Sequence, residues 1–430
     1  MSLQSLLRQI KLIDNVKDIA AYKTVVSNSY EWLDSALGNA AVTELVLGRA
    51  TFVDALLKHV WQLMELQNEP QLTLVAVGGY GRGQLQPHSD IDLLLLSKKP
   101  LSNEQQEHIS QFITLLWDIG LDVGQSVRTI SETFLLAKQD VTIATNLVEA
   151  RLLDGCEKTF ASLQQKLCSR GYWSSKDFFL AKEQEQKQRH RKFKDTSYNL
   201  EPNVKESPGC LRDIQSIGWI AKKHFNATDG KDLLEHGYFN QQEFDELIEC
   251  REKLWRIRFA LHIVAGRSEN RLLFDYQTDV ADRLGYGHEG KASVERMMKA
   301  FFRIVRRISE LNKMLIQRFG HDVLSLKVIQ KTKIDKDFEL LDGKIAPTNE
   351  HVFDSPKTIL RFLLLIANTP EIVDLHSSCL RQLRLARREF RKQYYVEHDA
   401  CRVLFMLLVT HPNFFALAWD ITHTHGILQA

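Results

Sequence analysis

The spacing of apolar residues changes several times along this chain, and each change marks a new element. Up to about residue 68 they recur every three or four positions, most clearly from Ala50 to Leu66, which predicts helices. Two short apolar runs follow, Leu72 to Val77 and Leu93 to Leu96, each of strand length and joined by a glycine-rich segment. Helical spacing returns over Ile109 to Ile119, where Gly120 is placed to close a helix, and Leu121 to Thr129 then reads as a third strand. An apolar-periodic segment from Asn146 to Leu153 leads into mostly helical sequence. There Met297 to Phe319 carries Phe301, Ile304, Val305, Ile308, Leu311 and Leu315 as one stripe, the pattern of core or bundle packing. Residues 334 to 349 predict a short hairpin turning at Asp342-Gly343. Two further helices are expected over Pro356 to Ala367 and Cys379 to Tyr394.

These periods predict an α+β fold, a small mixed sheet embedded in a mostly α-helical chain. The expected divisions are a helical segment over residues 1–70, a small sheet-bearing domain over 71–150, a helical domain over 151–322, and a C-terminal helical region with the hairpin over 323–430.

The segment between the first two apolar runs reads Gly-Gly-Tyr-Gly-Arg-Gly-Gln-Leu-Gln-Pro-His-Ser-Asp-Ile-Asp, from Gly78 to Asp92. Strand residues alternate faces, so Asp90 and Asp92 project to one side and Ile91 to the other. Two carboxylates on one face repel, and burying them unpaired is costly. A divalent cation resolves the conflict, and magnesium suits one or two carboxylates completed by phosphate oxygens and waters. Two ions roughly 3.5–4 Å apart would activate an attacking oxygen and stabilise a leaving one. Gly78 and Gly79 let backbone amides approach an anion. Arg82 adds charge there or points to solvent, and Ser89 donates to a phosphate or caps the turn. A third carboxylate is expected. Asp122, opening the third strand, is preferred, and Asp118 at the preceding helix end is its rival, disfavoured by the helix dipole.

Beyond this segment the chemistry is sparser. Glu183 to Lys194 is dense in charge and amides, the composition of a solvated helix face. Glu201 to Gln215 contains Pro202, Pro208 and Gly209 and reads as a loop before a helix. Lys205, Arg212 and Asp213 in it are candidates to close over a nucleotide, or to hold the loop on its neighbours by an Arg–Asp pair. Arg381, Arg384, Arg387, Arg388, Arg391 and Lys392 form a basic stripe, read as a solvated face rather than a surface for an acidic partner. The pairs His321-Asp322 and His398-Asp399, and the terminal His423-x-His425, lack the further ligands of a hydrolase metal site and are expected to be structural.

Composition narrows the function classes. Lysine and arginine number 56 against 54 acidic residues, a formal charge of +2, so no global field draws the chain to nucleic acid or membrane. Six cysteines are scattered without a Cys-x-x-Cys, which suits reduced thiols. No apolar run reaches membrane-spanning length and the start lacks a signal peptide's core, so a cytoplasmic protein is expected.

The glycine turn and Asp-x-Asp resemble the nucleotidyltransferase superfamily, with its polymerase-beta-like fold. Gly78 to Leu85, Ser89 to Leu96 and Trp117 to Arg128 together resemble the bacterial PII uridylyltransferase/uridylyl-removing (GlnD) family. So do Glu201 to Gln215, Arg258-Phe-Ala-Leu-His and Asn270-Arg-Leu-Leu-Phe-Asp-Tyr-Gln. The resemblance implies transfer of UMP from UTP to a tyrosine hydroxyl of the PII nitrogen-signalling protein, with release of pyrophosphate. It implies Asp90, Asp92 and Asp122 as magnesium ligands, Gly78 and Gly79 beside the triphosphate, and no nucleophile in this chain. Where the family more often has Gly-Pro-Gly-Gly this chain has Ser207-Pro208-Gly209-Cys210, so a left-handed backbone at either replaced glycine would be strained here. The family's hydrolase and ligand-sensing domains are not represented, so uridylyl removal and glutamine control are not expected. An adenylyltransferase modifying another protein such as glutamine synthetase, and a catalytically silent nucleotide-binding module, are the alternatives.

Overall fold

Leu93 to Leu96 are buried without interruption because the sheet they cross is covered on both faces. The computed structural model describes residues 1–169, 171–193, 199–225, 231–324, 330–389, 397–414 and 418–419. The sheet contains β1 (Leu72–Ala76), β2 (Ile91–Ser97), β3 (Val123–Thr129) and β4 (Arg151–Gly155), in the order β3-β2-β1-β4. β1 is antiparallel to β2 and β4, whereas β2 and β3 run parallel, so the sheet is mixed.

The helices of this part are α1 (Leu3–Lys11), α2 (Ile19–Ala36), α3 (Val42–Leu63), the single turn α4 (Gly78–Gly81), α5 (Asn103–Asp118), α6 (Ile130–Gln139), α7 (Val141–Val148) and α8 (Glu157–Leu167). After them come α9 (Ser175–Lys192), α10 (Leu211–Phe225), α11 (Asp232–Glu235), α12 (Gln241–Ala265), α13 (Phe274–Arg283) and α14 (Lys291–Val323). On one face of the sheet Val75, Val77, Leu94 and Leu96 pack with Ile130, Ala137, Leu147, Phe160 and Leu163 of α6, α7 and α8. Leu74, Leu93 and Leu95 point the other way and are also buried. Trp61 of α3 and Phe112 of α5 meet edge to face at 5.3 Å.

One expected element changes. The apolar-periodic segment from Asn146 to Leu153 is not continuous: it holds the end of α7 and the start of β4. Glu149 and Ala150 separate the two pieces, and no glycine or proline there marks the change of period. β4 therefore lies beyond residue 150, where the sheet-bearing domain was expected to end.

The chain divides into two compact units, residues 1–234 with 241–305, and residues 235–240 with 306–430. The first contains everything described so far except the last residue of α11 and the second half of α14. In the second, β5 (Lys331–Lys333), β6 (Phe338–Leu341), β7 (Lys344–Pro347) and β8 (Asp374–Leu375) form another four-stranded sheet. β6 and β7 turn at Asp342 and Gly343, both at positive φ, as the hairpin predicts. Their apolar face packs with α15 (Pro356–Asn368) and α16 (Ser377–Glu389), where Phe338 and Phe362 lie 5.3 Å apart. α17 (Asp399–Val409) follows.

The basic stripe on α16 is not uniformly solvated. Arg384 is buried 3.9 Å from Glu310, and Arg381 donates to the Tyr238 carbonyl at 2.9 Å. The side chains of Arg387 and Arg388, and Arg391 and Lys392 entirely, lie outside the described residues.

Candidate functional site

The site is built on the ends of β1, β2 and β3. Val77 donates to the Asp92 carbonyl at 3.0 Å, closing the β1–β2 ladder just before the glycine turn. Gly78 then takes φ +57°, a conformation that side chains resist. A Cβ there would also lie 2.8 Å from Oδ2 of Asp92. Across the parallel ladder Asp92 is opposite Gly124, whose Cβ would come 3.0 Å from Oδ1 of Asp92. The carboxylate thus fits between two glycines on neighbouring elements.

The register also brings the third aspartate alongside. Ile91 donates to the Asp122 carbonyl at 2.9 Å, and Ile91 pairs with Val123, so Asp90 and Asp122 sit side by side at the heads of β2 and β3. Asp90 and Asp122 are exposed and Asp92 is half-buried. Burial and the charges of Asp90 and then Asp122 push the Asp92 carboxyl up to about 6, against the pull of Lys205. Asp118, the rival ligand, ends α5. Among the described residues, no three carboxylate, imidazole or thiol groups converge into a ready-made metal cage.

The loop from Glu201 to Cys210 brings Lys205 to these carboxylates. Asn203 accepts the amides of Lys205 and Glu206 at 3.0 and 2.8 Å, and Val204 donates to the Asn270 carbonyl at 2.8 Å. Burial, then the neighbouring Arg258 and Arg212, push the Lys205 ammonium down to about 8, offset by Glu206 and Asp90. In Ser207-Pro208-Gly209-Cys210 the residue at positive φ is Gly209, at +75°, so the two replacements carry no backbone strain.

The other two loop candidates are committed elsewhere. Arg212 reaches Glu206 through Nε and Nη2 at 3.1 and 2.9 Å and lies over the Trp219 ring. Asp213 is 1% exposed, accepts the Gly209 amide at 2.7 Å and His190 at 2.9 Å, and pairs with Arg189. It ties the loop to α9. The segment Glu183 to Lys194, expected as a solvated face, is therefore partly interior: Arg189 is buried, as is the adjoining Lys182, which faces Glu185 and the Trp219 ring.

Arg82 likewise has a protein partner, pairing with the buried Glu149 and donating to Gln84 at 3.1 Å. The glycine turn is braced from below by Asp54 of α3, which accepts Tyr80 Oη at 2.6 Å and two nitrogens of Arg151 at 2.6 and 3.0 Å. Ser89 accepts Nη2 of Arg258 at 3.2 Å, and Arg258 donates through Nε to Asn270 at 2.7 Å. His262, one turn further along α12, accepts the His88 amide at 3.3 Å. Burial and Arg258 hold that imidazole neutral, its pKa pushed down to about 2. Arg258, Asn270, Asp54 and Glu149 were not singled out as site residues from the sequence. Arg258 and Asn270 lie in segments that carried the family resemblance, but nothing local to them shows which way they face.

In the second unit, His321 and Asp322 contact one another at 3.2 Å, and Asp322 accepts Tyr238 Oη at 2.6 Å. His398 stands at the N-cap position of α17, and His423 and His425 lie outside the described residues. Among the described residues no helix is long and apolar enough to cross a membrane.

Comparison with known proteins gives three family matches. Residues 60–146 match a nucleotidyltransferase domain, 177–316 the GlnD PII-uridylyltransferase family, and 338–430 the uridylyltransferase GlnD third domain. The bifunctional uridylyltransferase/uridylyl-removing enzyme of Idiomarina loihiensis is 46% identical over 414 residues, covering 95% of this chain and 47% of that protein. Its counterpart in Pseudoalteromonas translucida is 44% identical over 423 residues, covering 98% and 48%. That of Photobacterium profundum is 46% identical over 391 residues, covering 90% and 45%. The chain spans about half the length of the curated relatives it matches.

Proposed function

The chain belongs to the GlnD uridylyltransferase family, and from that premise we propose that it transfers UMP from UTP to a tyrosine hydroxyl of a PII protein, releasing pyrophosphate. The observation that carries this reading is the meeting of Asp92 with Asp90, Asp122 and the Gly78 turn at one end of the sheet. The residues fit a divalent cation, because Asp92 is held between two glycines and repelled by two further carboxylates, a repulsion that a cation relieves. Asp90, Asp92 and Asp122 would hold magnesium, two ions in our reading. Bound there, magnesium would polarise the α-phosphate and offset its growing negative charge.

The chain's own part is positioning. Gly78 and Gly79 would open backbone amides toward the phosphates, and Lys205 brings a cation near Asp90 and Asp92. The tyrosine oxygen bonds to the α-phosphorus as the bond to the β-phosphate breaks, and the phenolic proton is released. The nucleophile belongs to the acceptor, so no serine, cysteine or histidine of this chain is needed at the reacting centre. Near-neutral charge favours a protein acceptor over nucleic acid, and six free thiols suit a reducing cytoplasm.

The test is incubation of the chain with magnesium, PII and labelled UTP or ATP. Label from UTP on a PII tyrosine supports the reading. Label from ATP alone would make it an adenylyltransferase, and nucleotide binding with no transfer would make it a silent module.

A further inference from the structure

Most arginines around the site face a carboxylate. Arg82 faces Glu149, Arg151 faces Asp54, Arg189 faces Asp213 and Arg212 faces Glu206. Arg258 does not. It is 9% exposed, and its hydrogen-bond partners, the Asn270 amide oxygen and the Ser89 hydroxyl, are both neutral. Among the described residues, no carboxylate lies within ion-pair distance of Arg258 or of the Lys205 ammonium. The two cations are nonetheless close enough to repel one another, and both feel the charge of Asp90.

Burying a cation without an ion-pair partner is unfavourable, and the half-buried Lys205 beside Arg258 adds to the cost. Arg258 is not a free end that has drifted inward. Its fork is fixed at Nε by Asn270 and at Nη2 by Ser89, the residue immediately before Asp90. That is how a guanidinium is prepared for bidentate contact with a phosphate. Asp90 and Glu206 act on the two cations only from beyond ion-pair distance, which leaves a place for a nearer anion.

We infer that Arg258, with Lys205, grips the triphosphate of the nucleotide donor, Arg258 being aimed by Asn270 and Ser89. This rests on the transferase reading above and adds to it a phosphate-binding residue from α12. It also gives Asn270 a positioning role, acting on the phosphates only through Arg258.

The experiment is calorimetric titration of inorganic pyrophosphate with magnesium into the 430-residue chain, beside its Arg258→Gln, Arg258→Lys and Asn270→Ala variants. Melting temperatures are measured without ligand. Loss of one charge-assisted contact predicts pyrophosphate binding weaker by about 10- to 100-fold in Arg258→Gln. Arg258→Lys should recover part of that loss. Asn270→Ala, which keeps the charge and loosens its aim, should bind roughly 3- to 10-fold more weakly. Unchanged affinity in Arg258→Gln overturns the inference. If that variant does not fold, unchanged affinity in Asn270→Ala overturns it instead. Wild-type protein that binds neither UTP nor pyrophosphate would sink the transferase reading itself, a different result from wild-type binding that Arg258 does not influence.

Discussion

Gly78 and Asp92 occupy each other's only room: a Cβ on the glycine would stand 2.8 Å from the carboxylate oxygen. The glycine's φ of +57° adds a second objection to any side chain. Gly78→Ala should therefore cost about 1–2 kcal/mol of stability from backbone strain alone. It should lower transfer far more than stability, because the displaced group is Asp92. Parallel denaturant melts and transfer rates check this. A variant of normal rate would mean that Asp92 is not held where the chemistry occurs.

Asp92→Asn separates the carboxylate's charge from its shape. Loss of one transition-state electrostatic contact typically removes ~10²–10³ in rate, and that is expected here. Stability should move the other way. The folded-state pKa of Asp92 is raised to about 6 by burial and by Asp90. Between the ordinary carboxylate value and about 6 the folded chain binds the extra proton, so this group's contribution to stability falls as pH rises through that window. Above it the ionised Asp92 destabilises the metal-free protein. Wild type should thus gain on Asp92→Asn as pH is lowered from 7 to 5 without metal, and the gap should shrink with magnesium. Magnesium affinity should weaken below about pH 6, where the cation competes with a proton. A pH-independent gap would refute the assignment.

What was legible in the sequence was local. The β1–turn–β2 unit and the Asp342-Gly343 turn follow from a few consecutive residues, since strand alternation and glycine conformation are short-range. What was not legible depends on distant pairing. Arg189 sits in sequence that has the composition of a solvated face, but it is buried against Asp213, 24 residues away. Ser89 and Arg258 are 169 residues apart. No pattern within either segment specifies that they meet.

The Asp213–Arg189 pair should be the more fragile tie. Both side chains are buried, and removing Asp213 leaves Arg189 only the more distant Glu206 at 4.0 Å, so a cost toward the low end of about 3–5 kcal/mol is expected. Asp213→Ala should show that loss in denaturant unfolding and raise the KM for UTP, because Asp213 holds the Gly209 amide of the loop that carries Lys205. Asp213→Asn, which still accepts that amide, should lose less. Equal stability of Asp213→Ala and wild type would contradict the tie.

Asp54 tests whether support beneath the turn matters to chemistry it never touches. It joins α3 to Tyr80 in the turn and to Arg151 on β4. Asp54→Ala would leave the fully buried Tyr80 hydroxyl without its acceptor, costing about 1–3 kcal/mol. It would also release Arg151, which donates to the Gly81 carbonyl at 3.3 Å. The turn's amides would then be less firmly aimed, so kcat should fall while magnesium affinity, which we propose rests on Asp90, Asp92 and Asp122, stays near normal. Tyr80→Phe, which loses only the hydroxyl, should recover most of the rate because the Asp54–Arg151 bridge survives. If Tyr80→Phe were as slow as Asp54→Ala, the phenol rather than the bridge would be the element that aims the turn.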